Sequence, residues 1–313
     1  MMSGETLPCC LSSSPAHGLN MTMPLPALHD EEGAHVPTDL PPVIDAHVHV
    51  FPDKLFEAIW RWFDQYGWPV RYRLYADDVI KHLRSRGVAH LVLLHYAHKP
   101  GIARAMNDFV ADLVARHEGV TGLATVYPGE PDALEILQDA FAKGLKGVKL
   151  HCHVQAMPPD DPRLWPVYEL CSARGAPVVM HAGREPRPVA GSLPIDPYTI
   201  CDASRVQRVL TAFPHLQLSV PHLGADELDA YAALLRKHDN LWLDTTMMLA
   251  GYFSTGDLLP YVKARPDRVM FGTDFPNLPY AWDREARAVS RSGLSDVDVE
   301  RLLAGNARAL FGM

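Results

Sequence analysis

Histidines and one aspartate stand at the carboxyl ends of short apolar runs in this sequence. His47 and His49 are two residues apart, and residues at that spacing on a β-strand point to the same side. His181 ends a later run, and Asp274 ends the last one. Imidazole and carboxylate groups in this combination are typical ligands of zinc, with manganese, iron and cobalt as alternatives. The pattern therefore favours a site for one divalent cation, with Zn²⁺ as the expected ion.

A structural role for these histidines is the alternative. A histidine at a strand end is often a hydrogen-bonded core residue, and the pair His47 and His49 is compatible with that interpretation. His222 ends a further apolar run, and a buried polar group is costly there unless it is paired or bound to a metal. Because His181, His222 and Asp274 each end a run in the same way, the whole set favours a metal site.

These runs belong to a regular series that starts at residue 43. Short apolar runs alternate with longer amphipathic stretches, which is typical of repeated β-α units around a parallel sheet. We predict strands at residues 43–50, 89–95, 121–127, 145–151, 177–181, 216–222, 241–245 and 269–274. We predict helices at residues 106–116, 133–143, 165–174, 204–213, 227–237, 257–264 and 296–311, the last of them closing the fold.

A series of this length favours a closed (β/α)8 barrel of the TIM type over a doubly wound open sheet. An open sheet would need fewer strands, and residues 45–47 stand where such folds carry a glycine-rich phosphate-binding turn. In barrel enzymes the active site lies at the carboxyl ends of the strands. The metal site is therefore expected at one mouth of the barrel.

Composition restricts the domain organisation. A chain of 313 residues with 48% hydrophobic and 21% charged residues can form one large barrel domain, which we place at residues 41–313. Residues 1–40 are rich in Ser, Pro, Gly and His and are predicted to be a disordered or loosely packed leader.

Charge and cysteine content favour a cytoplasmic protein that acts on a small molecule. The net charge of −8 argues against nucleic acid as a partner, because nucleic-acid-binding proteins usually carry a basic face. No apolar run is long enough to span a membrane, and the start of the chain lacks the features of a secretion signal. The five cysteines form no CxxC pair, so reduced thiols are favoured over disulfides or a thiolate metal site.

The motifs around the predicted site resemble the amidohydrolase superfamily. The resemblance is strongest to its amidohydrolase-related branch, which includes aminocarboxymuconate-semialdehyde decarboxylase, and it extends from about residue 43 to residue 311. It rests on IDAHVH at 44–49, GVKLH at 147–151, PVVMHAG at 177–183, PHLG at 221–224, FGTDFP at 271–276 and GNA at 305–307. These motifs identify the family and not one activity within it.

The resemblance implies a role for each residue of the set. His47, His49, His181 and Asp274 are then the metal ligands. Asp274 would also accept a proton from metal-activated water and deliver it to a leaving group. His222 would aid proton transfer or stabilise a developing oxyanion. Because enzymes of this branch often form dimers, a homodimer is a further expectation.

Lys149 admits two interpretations. In other branches of the superfamily the lysine of the fourth strand is carboxylated and bridges two metals, which would give a binuclear site. Lys149 and His151 are two residues apart and share a face, so they could instead bind an anionic group of the substrate. His153 and Arg184, in the loops after strands four and five, are further candidates for substrate binding, with ordinary surface ion pairs as the alternative for Arg184.

The segment 56–75, which follows the first strand, is rich in aromatic residues. It could cover the site as an apolar lid, join a subunit contact, or pack as an ordinary helix. The sequence leaves these alternatives open.

The predicted function is metal-dependent hydrolysis of an amide, lactone or ester bond in a small molecule, which could itself carry a carboxylate. The first alternative is non-oxidative decarboxylation of an aromatic or dienoic acid, which the same branch performs with the same ligands. The second alternative is a non-catalytic metal-binding barrel. The proton-transfer residue His222 disfavours it, because a binding protein does not need such a group beside the ion.

Overall fold

Parallel strands surrounded by helices form the centre of the protein. The computed structural model describes residues 27–185, 189, 191–253 and 256–313. Its strands are β1 (Val43–His49), β2 (Val88–Leu94), β3 (Val120–Gly122), β4 (Val148–His151), β5 (Val178–His181), β6 (Leu218–Val220), β7 (Leu241–Asp244) and β8 (Val269–Met270). Each of the eight predicted runs overlaps one of these strands, which confirms the predicted series.

Helices follow the strands along the chain. They are α1 (Asp53–Tyr66), α2 (Ala76–Ser85), α3 (Ala103–Arg116), α4 (Ala133–Ala142), α5 (Cys152–Gln155), α6 (Trp165–Arg174), α7 (Ala203–Ala212), α8 (Leu228–Lys237), α9 (Leu259–Ala264), α10 (Arg284–Ser290), α11 (Asp296–Glu300) and α12 (Asn306–Phe311). The predicted closing helix at 296–311 contains a π-helical turn, Arg301–Gly305, between α11 and α12.

Two groups of strands join into one barrel. β1, β2 and β3 pair in one sheet, and β4 to β8 pair in order in the other. At the first junction Ala124 forms a parallel bridge with Val148, and at the second Val48 forms one with Phe275. Hydrogen bonds between residues 46–49 and residues 271–275 extend the second junction. The fold is therefore a (β/α)8 barrel, as the sequence predicts.

The last strand is shorter than predicted. β8 ends at Met270, whereas the predicted strand continues to Asp274. Asp274 has a φ of 76°, a left-handed conformation that a strand does not accommodate. Its backbone amide nevertheless donates a hydrogen bond of 3.0 Å to the His47 carbonyl. The backbone is thus held against β1, while the orientation of the Asp274 side chain no longer follows the alternation of a β-strand.

Gly272 allows the chain after β8 to approach β1 closely. A Cβ atom at this position would lie 2.4 Å from Oγ1 of Thr246 and 2.9 Å from Cβ of His47. Both distances are far below van der Waals contact, so a side chain here would displace His47 or its neighbours. The glycine is needed because His47 and Asp274 must meet across this junction.

Residues 27–40 lie on the barrel surface. The Gly33 amide donates to Asp283, and the Val36 amide donates to the Arg86 carbonyl at 2.8 Å. Arg284 forms an ion pair with Asp30 at 2.9 Å. The predicted leader extends to residue 40, but these contacts attach its described part to the barrel. Residues 1–26 lie outside the described residues.

Two clusters of buried apolar side chains stabilise the barrel. The larger cluster joins the strands to the surrounding helices. The smaller cluster joins residues of β1, β2, β5, β7 and β8 to Leu310 and Phe311 of α12. Among the described helices, each is too short or too polar to cross a membrane.

Candidate metal centre

His47, His49 and Asp274 meet at the junction of β1 and β8. One ligand atom of each side chain lies within 4.8 Å of the ligand atoms of the other two. Oδ1 of Asp274 is 3.4 Å from Nε2 of His47 and 3.0 Å from Nε2 of His49. All three residues are buried. A first-row metal with bonds of about 2.0 to 2.2 Å fits between donor atoms at this spacing, so the group could hold a divalent metal ion.

Asp244, the last residue of β7, fixes the orientation of His47. Its Oδ2 atom lies 3.0 Å from Nδ1 of His47. Burial lowers the pKa of His47 to about 4, so its imidazole is neutral. A neutral imidazole that donates from Nδ1 keeps its lone pair on Nε2, the atom that faces Asp274. A carboxylate behind a ligating histidine is a common arrangement in metal sites because it sets the tautomer and ring orientation.

Asp274 is held as a carboxylate. Burial alone raises the pKa of its side chain, but the hydrogen bond from His49 and the neighbouring imidazole groups hold that pKa below its usual value. An ionised carboxylate is the form that binds a cation. The donor set is therefore two imidazoles and one anion, which suits zinc, manganese, iron or cobalt.

His181 and His222 form a second group beside the first. Nδ1 of His181 lies 3.3 Å from Nε2 of His222, and Nε2 of His181 lies 3.1 Å from the Glu185 carbonyl. The structure thus places His181 beside His222, whose ring lies 6.0 Å from that of His47, whereas the sequence predicts His181 as a fourth ligand. That role and the proton-transfer role of His222 stay predictions.

The backbone at His222 is unusual. Its φ is 59°, and the φ of Leu223 is 52°, so two consecutive non-glycine residues adopt the left-handed conformation. Such residues cost about 1 to 3 kcal/mol each and concentrate at functional sites. Nδ1 of His222 lies 2.9 Å from the Thr246 carbonyl. The turn therefore directs Nε2 of His222 towards His181.

Lys149 is completely buried behind the cluster. Its Nζ atom lies 3.4 Å from Nε2 of His47, and burial lowers its pKa to about 8. Lys149 is absent from the cavity lining among the described residues. Lys149 is therefore close enough to affect the charge at the metal cluster. His151, two residues further along β4, instead lines the cavity.

The other predicted substrate-binding residues divide into two classes. His151 stacks on the His181 ring with centroids 4.2 Å apart, and His153 lies 2.7 Å from the Gly183 carbonyl through Nε2. Both line the cavity. The Arg184 guanidinium instead pairs with Asp226 at 2.6 Å and Glu227 at 3.3 Å. The ion-pair interpretation therefore describes the geometry of Arg184 better than substrate binding does.

A cavity of about 870 Å³ opens above these groups. Its polar lining includes His49, His151, His153, His181, His222 and Asp274. Aromatic side chains form much of the rest, including Trp62, Phe63, Tyr66, Trp68 and Phe253. Part of the aromatic segment 56–75 therefore lines the cavity, and its role as a lid or a subunit contact stays a prediction.

Comparison with known proteins identifies the family. The family profile described as Amidohydrolase matches residues 44–313. The chain belongs to the amidohydrolase family. The resemblance drawn from the motifs is thereby confirmed. A comparison of this amidohydrolase with curated proteins gave no match.

Solved structures with the same fold include three bacterial proteins. An uncharacterized TIM-barrel protein from Bordetella bronchiseptica is 20% identical, with a TM-score of 0.65 over 87% of this chain and 99% of that chain. The 5-carboxyvanillate decarboxylase from Sphingomonas paucimobilis is 17% identical, with a TM-score of 0.64 over 87% and 99%. A dihydroxybenzoic acid decarboxylase from Polaromonas sp. JS666, solved with manganese and 2-nitroresorcinol, is 17% identical, with a TM-score of 0.66 over 87% and 97%. At these identities the likeness concerns the fold.

Sequence reasoning missed two residues of this amidohydrolase site. Asp244 follows three apolar residues, the same signal that singled out Asp274, and could have been found by it. The Tyr96 ring lies 5.9 Å from the His49 ring and 4.8 Å from the His151 ring. Nothing in the sequence separates Tyr96 from an ordinary core tyrosine, because its position at the site depends on the barrel curvature.

Proposed function

We propose that this amidohydrolase is a metal-dependent decarboxylase of an aromatic carboxylic acid. The observation that carries the proposal is the shape of the site. One cavity has two residues of the candidate metal cluster, His49 and Asp274, at its base and aromatic side chains along its wall. An aromatic acid matches both parts, because its carboxylate suits a cation site and its ring suits an apolar wall.

The similar structures support the same reaction class. Two of those described above are named as decarboxylases of aromatic acids, 5-carboxyvanillate and a dihydroxybenzoic acid. The second contains manganese. Carboxylate and imidazole ligands suit Mn²⁺ as well as the Zn²⁺ expected from the sequence, so both ions belong in the test.

The wall and the base of the cavity would contribute differently to decarboxylation. In this reaction the bond between the ring and the carboxylate breaks, CO₂ leaves, and the electron pair stays on the ring carbon, which takes up a proton. A metal ion held by His47, His49 and Asp274 would supply positive charge to the acid oxygens. The apolar wall excludes water, which disfavours the concentrated charge of the bound carboxylate more than the dispersed charge of the transition state.

His222 is the proposed proton carrier. Nδ1 of His222 donates to the Thr246 carbonyl at 2.9 Å, which leaves the lone pair on Nε2 in this tautomer. The His222 side chain lines the cavity. It would accept a proton from a ring hydroxyl and return it to the ring carbon as the bond to the carboxylate breaks, so that the histidine ends the cycle unchanged.

The test is an assay of product and isotope incorporation. Metal-stripped protein is reloaded with Mn²⁺ or Zn²⁺ and incubated in D₂O with 2,6-dihydroxybenzoate, 5-carboxyvanillate and monohydroxybenzoates. We expect CO₂ release matched by deuterium at the vacated ring carbon, and none from the metal-stripped control. A second panel of lactones, esters and amides in ¹⁸O-labelled water tests the hydrolysis predicted from the sequence. Labelled acid product without CO₂ release would overturn the decarboxylase assignment.

A further inference from the structure

Helix α1 presents two apolar faces. Phe56 and Trp60 are buried in the core. Leu55, Ile59 and Phe63 follow at spacings of four residues on a neighbouring face and line the cavity. An amphipathic helix of a barrel needs one apolar face for the core. The second face is only partly buried against the core, and the rest of its apolar surface lines the cavity.

This second face, which we call the α1 stripe, consists of Leu55, Ala58, Ile59, Trp62, Phe63 and Tyr66. The spacings of three and four residues place all of them on one side of the helix. At a rise of about 1.5 Å per residue the stripe is about 16 Å long. None of its members carries a formal charge at neutral pH. The stripe is thus a continuous apolar surface several times longer than one aromatic ring is wide.

The α1 stripe is continuous with the metal site. The same cavity contains the stripe, the cluster residues His49 and Asp274, and the further apolar residues Met247, Met248 and Phe253. Its volume of about 870 Å³ lies near the upper end of the range of about 300 to 1,000 Å³ for pockets that enclose drug-sized ligands. A single-ring acid at the cluster would therefore leave most of the stripe uncovered.

The two indole nitrogens of the aromatic wall already have partners. Nε1 of Trp62 donates to the Ser192 carbonyl at 3.1 Å, and Nε1 of Trp68 donates to the Asn277 carbonyl at 2.7 Å. The Trp68 ring also contacts the rings of Phe63 and Phe253, with centroids 5.1 and 6.2 Å apart. These hydrogen bonds and ring contacts hold the two indole rings in place. The ring surfaces that face the cavity are therefore suited to apolar contact.

We propose that the substrate acid carries a large apolar substituent and that the α1 stripe binds it. The inference rests on the proposed function, because it places the carboxylate of the same molecule at the metal cluster. A second aromatic ring and an alkyl chain share the required chemistry. Binding of this remote group would position the carboxylate at the cluster without taking part in the bond change.

Binding of unreactive probes tests the α1 stripe without relying on turnover. Metal-loaded protein is titrated with benzoate, biphenyl-4-carboxylate and 4-butylbenzoate by isothermal calorimetry. We expect the Kd of at least one extended acid to be about ten- to a hundredfold lower than that of benzoate, the effect of burying one large apolar group. Comparison of the two extended acids distinguishes a ring from a chain. Equal affinity for all three acids would overturn the inference.

Variants locate the binding to the stripe. Ala58→Phe fills space over the stripe, and Trp62→Ala removes one of its largest surfaces, so each should reduce the preference for the extended acid. Gln65→Phe is the matched control, since Gln65 lies exposed on the same helix and outside the cavity lining. The preference should survive in the control. If both stripe variants keep the preference for the extended acid, the apolar group binds elsewhere and the inference is wrong.

Two further measurements distinguish ligand binding by the stripe from a subunit contact and from the proposed reaction itself. If light scattering shows that Ala58→Phe and Trp62→Ala dissociate an oligomer, and the wild type shows no preference for extended acids, a second copy of the chain covers the stripe and the inference is wrong. If the extended acids bind tightly but no acid is decarboxylated, the proposed reaction fails while binding by the stripe stands.

Discussion

The base and the wall of the cavity are built in opposite ways. At the base, each side chain has a specific polar neighbour: Asp244 orients His47, and the Thr246 carbonyl orients His222. Along the wall, the α1 stripe presents apolar side chains that meet open space on one side. The base therefore requires particular atoms at particular distances, whereas the wall requires only volume and low polarity.

This difference separates reaction from selectivity. A base built from oriented donors tolerates little change, because a misplaced ligand loses the metal or its geometry. A wall of apolar side chains can change its shape while the helix that carries it stays anchored by Phe56 and Trp60. Substitutions should consequently have large effects on turnover at the base and graded effects on substrate preference at the wall.

The largest expected effect is at Asp274. We expect Asp274→Asn to reduce turnover by about a thousandfold or more, because the change removes the anionic ligand of the cluster and several kcal/mol of charge stabilisation with it. The measurement is kcat together with metal content by elemental analysis. Asp239→Asn, at an exposed surface position, is the matched control. Full metal content and full turnover in Asp274→Asn would show that turnover is not more sensitive to substitution at the base of the cavity than at its wall.

A smaller effect on metal affinity is expected at Asp244, which contacts the candidate ligand His47. Asp244→Asn keeps the shape of the side chain but removes the charge that holds Nδ1–H of His47. Loss of such a partner typically costs about 10- to 100-fold in metal affinity or activity. Competition with a chromogenic chelator measures the affinity. An unchanged affinity would show that His47 is held in place by packing alone.

The two faces of α1 provide the third comparison. Phe56 is fully buried and Phe63 is partly buried beside the cavity. Phe56→Ala should cost about 3 to 5 kcal/mol of unfolding free energy, and Phe63→Ala about half of that or less, because it enlarges an existing cavity. Urea unfolding followed by circular dichroism measures both values. Equal costs would mean that the stripe is part of the core.

The sequence predicts the barrel well because each strand is marked locally. Alternation of apolar runs with amphipathic stretches predicts the position of all eight strands. The predicted end of the helix at residue 174 also agrees with the structure, because Gly175 follows α6 with a φ of 63°. The end of β8 is predicted less accurately. It depends on contacts between distant residues, such as that of the Asp274 amide with the His47 carbonyl, and no local pattern records them.

The candidate site is predictable in part for the same reason. His47, His49 and Asp274 are marked by their position after apolar residues, and the structure brings them together. The position of His181 beside His222 depends on the left-handed turn at 222–223, which no pattern of residue types announces. The ion pairs of Arg184 likewise depend on where the loop after β5 meets residues 226–227.

The junction of β1 and β8 has a consequence for folding. His47 and His49 belong to β1, the first strand, whereas Asp274 follows β8, the last strand. A cation bound by all three would cross-link the first and last strands without a covalent bond. Since a ligand stabilises the form that binds it, loading the site should slow amide hydrogen exchange in β1 more than in β3, on the side of the barrel away from that contact.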